Sequence, residues 1–221
     1  MKRIRNLYGW MAKRMHSTGD VLRFLAFQLR RATWGLRRRA FPRNSDGQLL
    51  IHIGSGALID PRFVNIDIQP YPSVHILGNG ARLSFPDNII DLIYASHTIE
   101  HFSHREIQSV LSEWHRVLKP GGRLFLSVPD FEKLARMYTE AGIALREVQA
   151  FIMGSQGNPF DFHKSLFDRR FLTDVLADTG FDGPTDWEEA DYAAYPFDDY
   201  AHYPPTRAIS LNLKAEKRLH Q

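Results

Sequence analysis

Between residues 49 and 128, short apolar runs alternate with glycine, proline or polar breaks and with one stretch of helical periodicity. A run of this kind is too short to be a helix, and its apolarity on both faces points to a buried strand. Leu49-Leu50-Ile51-His52-Ile53 is stopped by Gly54-Ser55-Gly56. Phe63-Val64-Asn65-Ile66-Asp67-Ile68 reads as a second strand and Val74-His75-Ile76-Leu77 as a third. Ile89 to Ala95 contains a fourth. Ser103 and Glu106 then have the spacing of a capping box. Ile107, Val110, Leu111, Trp114, Val117 and Leu118 follow as a helical stripe, which Lys119-Pro120-Gly121-Gly122 is expected to stop. Arg123 to Val128 reads as a fifth strand. Strands alternating with helices predict a parallel sheet covered by helices.

Beyond residue 130 the spacing predicts helices over 131–138, 143–153 and 168–179, a loop over 154–163, and an alternating final strand over 208–215. The crossover between the first two strands is near the ~10–12-residue minimum for such a unit and leaves room for a turn of helix at most.

Charge divides the 221 residues into two parts. Residues 1–43 contain 12 Lys or Arg and one acid, Asp20, giving +11; the whole chain is +3, so the remainder is −8. Val21, Leu25, Leu29, Ala32 and Leu36 recur at helical spacing in the basic arm. Phe27 and Trp34 fall beside Arg23, Arg30 and Arg37. Asn44-Ser45-Asp46-Gly47 reads as a linker, so the expected organisation is a basic helical arm over 1–43 and an α/β domain over 48–216. With no cysteine, thiolate metal sites, disulfides and a cysteine nucleophile are excluded. No run approaches the roughly 20 apolar residues of a spanning helix. The N-terminal segment lacks the uninterrupted apolar core of a secretory signal, and a cytoplasmic location is expected.

A glycine turn after the first strand lets a ligand approach the backbone, and open α/β sheets bind ligands at the carboxyl ends of their strands. Gly54-Ser55-Gly56 is such a turn, although Leu58 stands where a dinucleotide fingerprint has its third glycine. Asp67, near the end of the second strand, could accept both hydroxyls of a ribose; on position alone it is equally a solvated strand-end carboxylate.

Four ordered blocks carry a resemblance. They are Leu50 to Gly56 with Asn65-Ile66-Asp67, Leu83-Ser84-Phe85-Pro86-Asp87-Asn88-Ile89-Ile90-Asp91-Leu92-Ile93, Ser96-His97-Thr98-Ile99-Glu100-His101, and Arg116 to Leu124. Together they resemble class I methyltransferases dependent on S-adenosylmethionine (SAM), in the type-11-like branch. His163 to Asp168 and Ile209 to Asn212 are similar to that branch too. The resemblance implies a Rossmann-like, doubly wound, mainly parallel seven-stranded sheet with an antiparallel last strand and helices on both faces. It implies that Gly54, Ser55 and Gly56 line the methionine and ribose of SAM and that Asp67 holds the ribose hydroxyls. Asn79, Ala81 and Leu83 would border the adenine, and Ser96 and His97 would face the cofactor and the acceptor. Two positions depart from the family: His52 replaces a frequent acid before the first glycine, and Gly80 replaces one before Ala81.

Methyl transfer from a sulfonium needs alignment and exclusion of water more than side-chain chemistry. A hydroxyl acceptor still gains from a general base, and His97 is the first choice, followed by His101, His163 and Glu100. Glu100 and His101 are equally readable as residues that fix the loop. His97, His101 and His104 lack the spacing of zinc signatures, and no metal is expected.

The expected reaction is O-methylation of a glycan, lipid-linked or small-metabolite hydroxyl. The arm is open to three readings: packing on the domain, peripheral contact with an anionic membrane, and, less favoured beside an acidic body, nucleic-acid binding. A non-catalytic SAM-fold binding module and a nucleic-acid methyltransferase guided by the arm are the alternatives.

Overall fold

The computed structural model describes residues 22, 25–26, 28–29, 41–57, 60–188, 190–191 and 209–218. Strands β1 (Leu50–Ile53), β2 (Phe63–Asp67), β3 (Ile76–Leu77) and β4 (Ile90–Ser96) lead into a 3-10 turn, Ile99–His101. Helix α1 (Ile107–Val117), β5 (Leu118–Pro129), α2 (Phe131–Thr139), α3 (Leu145–Met153), α4 (Arg169–Asp178), β6 (Phe181–Asp186) and β7 (Ser210–Lys217) follow. The sheet has seven strands in the order β3-β2-β1-β4-β5-β7-β6. Strands β1 to β5 are parallel, and β7 runs antiparallel to both β5 and β6. This is the doubly wound, Rossmann-like arrangement expected, with its topological switch between β1 and β4.

Alternation along the strands sorts the core. Ile51, Ile53, Val64, Ile66 and Ile93 lie in the main cluster. Helix α1 contributes Ile107, Val110, Leu111, Trp114 and Val117 to it, the stripe expected from the sequence. Helix α4 adds Leu172, Val175 and Leu176. Asp168 caps α4 by accepting from the Phe171 N–H at 2.7 Å. Leu50, Phe63, Leu92, Tyr94, Phe125 and Trp187 form a second cluster.

The structure corrects four local expectations. Lys119-Pro120-Gly121-Gly122 is no interval between helix and strand: β5 begins at Leu118 and runs through it. The register slips here: Ile90 pairs with Leu118 and Leu92 with Arg123, so residues 119–122 stand out of the ladder with β4. Gly121 sits at φ +75°, and a Cβ on Gly122 would come within 2.8 Å of the Lys119 carbonyl oxygen. The Ser103/Glu106 pair closes the turn ahead of α1, not its first turn: Glu106 accepts from the Ser103 N–H at 3.2 Å while Glu106 itself is the N-cap. The third strand shrinks to Ile76–Leu77. Strand β6 was unforeseen because Gly183 and Pro184 interrupt it; an edge position paired only with β7 tolerates both.

Of the arm, Val21, Phe27, Trp34 and Leu36 lie outside the described residues. Leu22, Leu25 and Leu29 are helical and 62%, 55% and 66% exposed, so Leu25 and Leu29 do not cover the core.

His52 is buried against Tyr94, with ring centroids 4.7 Å apart, and lies 6.3 Å from Phe63. Burial lowers its pKa from 6.5 to about 3, against the opposing charge of Asp60, so the ring is neutral in the fold. Between pH 6.5 and about 3 the unfolded chain binds a proton that the folded chain refuses. Stability therefore falls as pH falls, by up to about 1.4 kcal/mol per pH unit from this residue. We expect His52→Phe to remove that slope. Urea unfolding from pH 7 to pH 4.5 checks it; parallel pH profiles for the variant and the parent chain would contradict the assignment.

Candidate functional site

The carboxyl end of β1 organises the site. Gly54 and Gly56 sit at φ +72° and +56°, a region costly for residues with a Cβ. The Gly54 N–H donates to Ile66 O at 2.8 Å, tying the turn to β2. A Cβ on Gly54 would run into the Thr98 side chain. Thr98, in the segment after β4, donates its hydroxyl to Ile53 O at 3.0 Å or Ser96 O at 2.9 Å. Gly80 meets the same strand end from the third side: a Cβ there would strike the Ile53 side chain, and its carbonyl accepts from the Trp114 indole at 2.9 Å. An acid therefore cannot replace Gly80 without moving Ile53, which accounts for one departure from the family pattern. The other, His52, is turned into the aromatic cluster and presents no charge.

Asp67 is 8% exposed. One carboxylate oxygen accepts from the Gly56 N–H at 2.8 Å and the other from the Gln69 N–H at 2.7 Å. Burial raises its pKa above the ordinary value, while these N–H groups favour the charge. Each oxygen retains acceptor capacity beyond these bonds. The Ser55 hydroxyl, in the glycine turn, and the Ser96 hydroxyl, at the end of β4, are buried with no hydrogen-bond partner among the described residues.

The segment expected to border an adenine divides. Asn79 is exposed and folds its side chain back onto the Ala81 N–H at 3.1 Å. Ala81 packs at the margin of the core, and Leu83 is buried within it. The Leu83 N–H goes to Glu113 at 2.7 Å and its carbonyl to Arg116 at 3.1 Å. Arg116 also holds Phe85 O at 3.0 Å and Asp87 at 2.5 Å, so α1 clamps the 83–87 segment in place.

After β4, His97 adopts φ +47°, unusual for a residue with a Cβ. Its Nε2 lies 2.9 Å from Ser210 Oγ, and its Nδ1 lies 3.3 Å from Glu100 Oε1. Glu100 is 1% exposed. Burial opposes its charge, but His97, His101 and His163 outweigh burial and hold its pKa below the usual value. Burial depresses the pKa of His163. The structure thus gathers His97, Glu100, His101 and His163, although His163 is distant in sequence. Thr98 and Ser210 are the polar residues that sequence reasoning missed, because only the tertiary fold sets them against Gly54 and His97. A small cleft lined by Gln48, Asp91, Lys119 and Arg123 opens at the opposite end of the strands and contains none of these residues.

The methyltransferase-domain family model matches residues 56–126. The ubiquinone/menaquinone biosynthesis C-methyltransferase UbiE of Erwinia tasmaniensis is 31% identical over 118 residues, covering 50% of this chain and 46% of that protein. A demethylmenaquinone methyltransferase of Lysinibacillus sphaericus is 32% identical over 78 residues, 32% of each chain. The chain thus spans about half or less of the length of these curated relatives. Among solved structures, a SAM-dependent methyltransferase of Thermotoga maritima superposes with a TM-score of 0.50 at 15% identity, covering 86% of this chain and 87% of that one. The 1,6-didemethyltoxoflavin-N1-methyltransferase of Burkholderia thailandensis, with S-adenosylhomocysteine bound, gives 0.50 at 16% identity, covering 87% and 76%. At these identities the likeness is one of fold.

The left-handed backbone at Gly54 and its approach to Thr98 set a cost for substitution. Gly54→Ala should destabilise the chain by about 2–4 kcal/mol, from left-handed strain and overpacking together. Gly47→Ala, with open space around a Cβ, should show the strain alone. Equal losses in urea unfolding for the two variants would refute the packing argument.

Proposed function

We propose, for a chain that carries a class I methyltransferase domain of the type-11 branch, that it binds SAM at the Gly54–Asp67 corner and methylates a small acceptor whose proton His97 accepts. The observation that carries this reading is the junction at the switch point. Gly56 and Asp67 are hydrogen-bonded to each other where the cofactor's ribose would lie, and Thr98 brings the end of β4 against Gly54. The donor set fits: an open glycine turn, a carboxylate with spare acceptor capacity, and the buried Ser55 and Ser96 hydroxyls facing no protein partner.

When bound, SAM supplies a methyl group already activated on a sulfonium. Asp67 would accept hydrogen bonds from the ribose hydroxyls, and the glycines would let the cofactor lie against the backbone. Asn79, Ala81 and Leu83 would border the adenine, with Asn79 exposed, Ala81 at the margin of the core and Leu83 buried in it. Glu100 orients His97 through Nδ1 and stabilises the imidazolium formed when Nε2 takes the acceptor's proton. Ser210 holds Nε2 until the acceptor replaces it. The acceptor we put first is a hydroxyl on a glycan, a lipid-linked molecule or a small metabolite. The name of the Erwinia tasmaniensis relative, a C-methyltransferase, favours an activated ring carbon as the second reading, and the same base serves both.

The arm, we infer, attaches the domain to anionic membranes. Its +11 charge and the exposed Leu22, Leu25 and Leu29 suit an interfacial helix. Among the described residues no helix is long and apolar enough to cross a membrane.

Four measurements test this reading. Asp67→Ala should weaken SAM binding about ten- to a hundredfold or more in calorimetry, for the loss of charge-assisted bonds worth roughly 1.5–3 kcal/mol; unchanged affinity would remove Asp67 from the site. His97→Gln should lower turnover by about 10²–10⁴-fold at nearly constant SAM affinity once an acceptor is found by screening. If affinity falls equally, His97 is structural. NMR of the product identifies the methylated atom. Deleting residues 1–43 should abolish salt-sensitive pelleting with anionic vesicles and leave SAM binding intact. Equal pelleting of both forms would defeat the membrane assignment, and nucleic-acid binding lost with the arm would replace it.

A further inference from the structure

The methyl transfer above uses neither His101 nor His163, yet both converge with Glu100 on one point. The ligating atoms of the three side chains all lie within 4.8 Å of one another. His163 Nε2 is 3.9 Å from Glu100 Oε1. The Nδ1 atom of each histidine lies against a main-chain carbonyl, His101 on Phe162 O at 3.2 Å and His163 on Phe151 O at 2.9 Å. A carbonyl only accepts, so each Nδ1 must carry the hydrogen, and in the neutral ring Nε2 is then the lone-pair nitrogen. This backbone anchoring is how metal-ligating histidines are commonly oriented. Glu100 is 1% exposed, and beyond the 3.3 Å approach of His97 Nδ1 to Oε1 neither of its oxygens has a hydrogen-bond partner among the described residues. Two imidazoles and a buried carboxylate gathered within this distance offer a cation three ligands at little cost in rearrangement.

The scaffold holds this geometry from outside. The Lys164 and Ser165 N–H groups both donate to Glu100 O, at 2.8 and 3.1 Å. Ser165 Oγ donates to Phe102 O at 2.8 Å and Lys164 Nζ to His101 O at 2.6 Å. These bonds lock the loop carrying His163 to the 3-10 turn carrying the other two residues. Gly154, at φ +77°, lets the loop close: a Cβ there would press on Asp161 O and on the His163 ring.

We infer that Glu100, His101 and His163 form a binding site for a divalent first-row transition-metal ion, with Zn²⁺ as the ion that best suits two imidazoles and one carboxylate. Magnesium and calcium prefer all-oxygen shells. Two histidines and a glutamate are a known zinc ligand set that leaves a fourth position for water or a ligand. Tetrahedral bonds of about 2.0–2.2 Å put ligand atoms roughly 3.3–3.5 Å apart, so small side-chain rotations close the present spacing. His104, which the sequence places in a run with His97 and His101, is not in the group.

The full chain, stripped with a chelator and titrated with Zn²⁺ alone in calorimetry, tests the site without SAM or an acceptor. The expected result is one ion per chain. Glu100→Gln and His163→Gln should each weaken binding by at least about 100-fold, beyond the 10–100-fold loss typical of an outer-shell partner. His104→Gln should leave binding unchanged. His101→Gln, in a residue only partly buried, serves if the other variants do not fold. Co²⁺ substitution should add a visible absorption band that the same variants lose. Failure of the parent chain to take up one Zn²⁺ by about 100 μM, or uptake indifferent to all three ligand variants, would overturn the site and leave the cluster held by shared protons. Failed SAM binding with intact zinc uptake would count against the proposed function alone.

Discussion

The end of β1 is where the structure has least freedom. Ile53 and Gly54 are touched from three directions at once: β2 through Ile66 O, the segment after β4 through Thr98, and the turn after β3 through Gly80. Each contact depends on an absent side chain or a buried polar bond. The Thr98 hydroxyl needs an acceptor because it is buried, and it reaches Ile53 O only because Gly54 has no Cβ. The Gly56 N–H then has Asp67 within reach. Removing any one of these would loosen the others, because they share two residues of backbone.

From that point the polar network extends outward in two directions. Arg116 joins α1 to the carbonyls of Leu83 and Phe85 and to Asp87, so two blocks separated in sequence are one unit in space. On the other side, His97, His101 and His163 gather around the Glu100 carboxylate, which is almost wholly withdrawn from water. Burying such a group is costly unless charge or hydrogen bonds offset it. The tight bonding of residues 163–165 to the 3-10 turn shows how the chain keeps this cluster assembled. The acidic body and basic arm are a separate division of charge, set by composition and independent of the sheet.

Much of this arrangement was legible in the sequence, and the limits have physical causes. Strand and helix periods identified β1, β2, β4, α1 and α4, because burial imposes one period on strands and another on helices. Gly54, Gly56 and Asp67 were recognisable because a close backbone approach and a strand-end carboxylate leave residue types at fixed positions. Strand β6 was not, because Gly183 and Pro184 carry no strand signal, and only pairing with β7 makes the segment extended. The Lys119–Gly122 run looked like a helix stop. It is one, but the same glycines also let the chain begin pairing with β4 at once.

What the sequence by itself determined is the class of fold, the glycine turn at the end of β1 and the charge asymmetry of the chain. These follow from local periodicity, glycine conformation and composition, which act over a few residues. The tertiary structure alone decided that His52 is a neutral core residue, that Gly80 admits no side chain, and that His163 joins Glu100 and His101. Those outcomes depend on which atoms meet across strands and loops far apart in the chain. Burial and hydrogen-bond geometry, which set both protonation and packing there, have no expression in the order of residues until the sheet has brought them together.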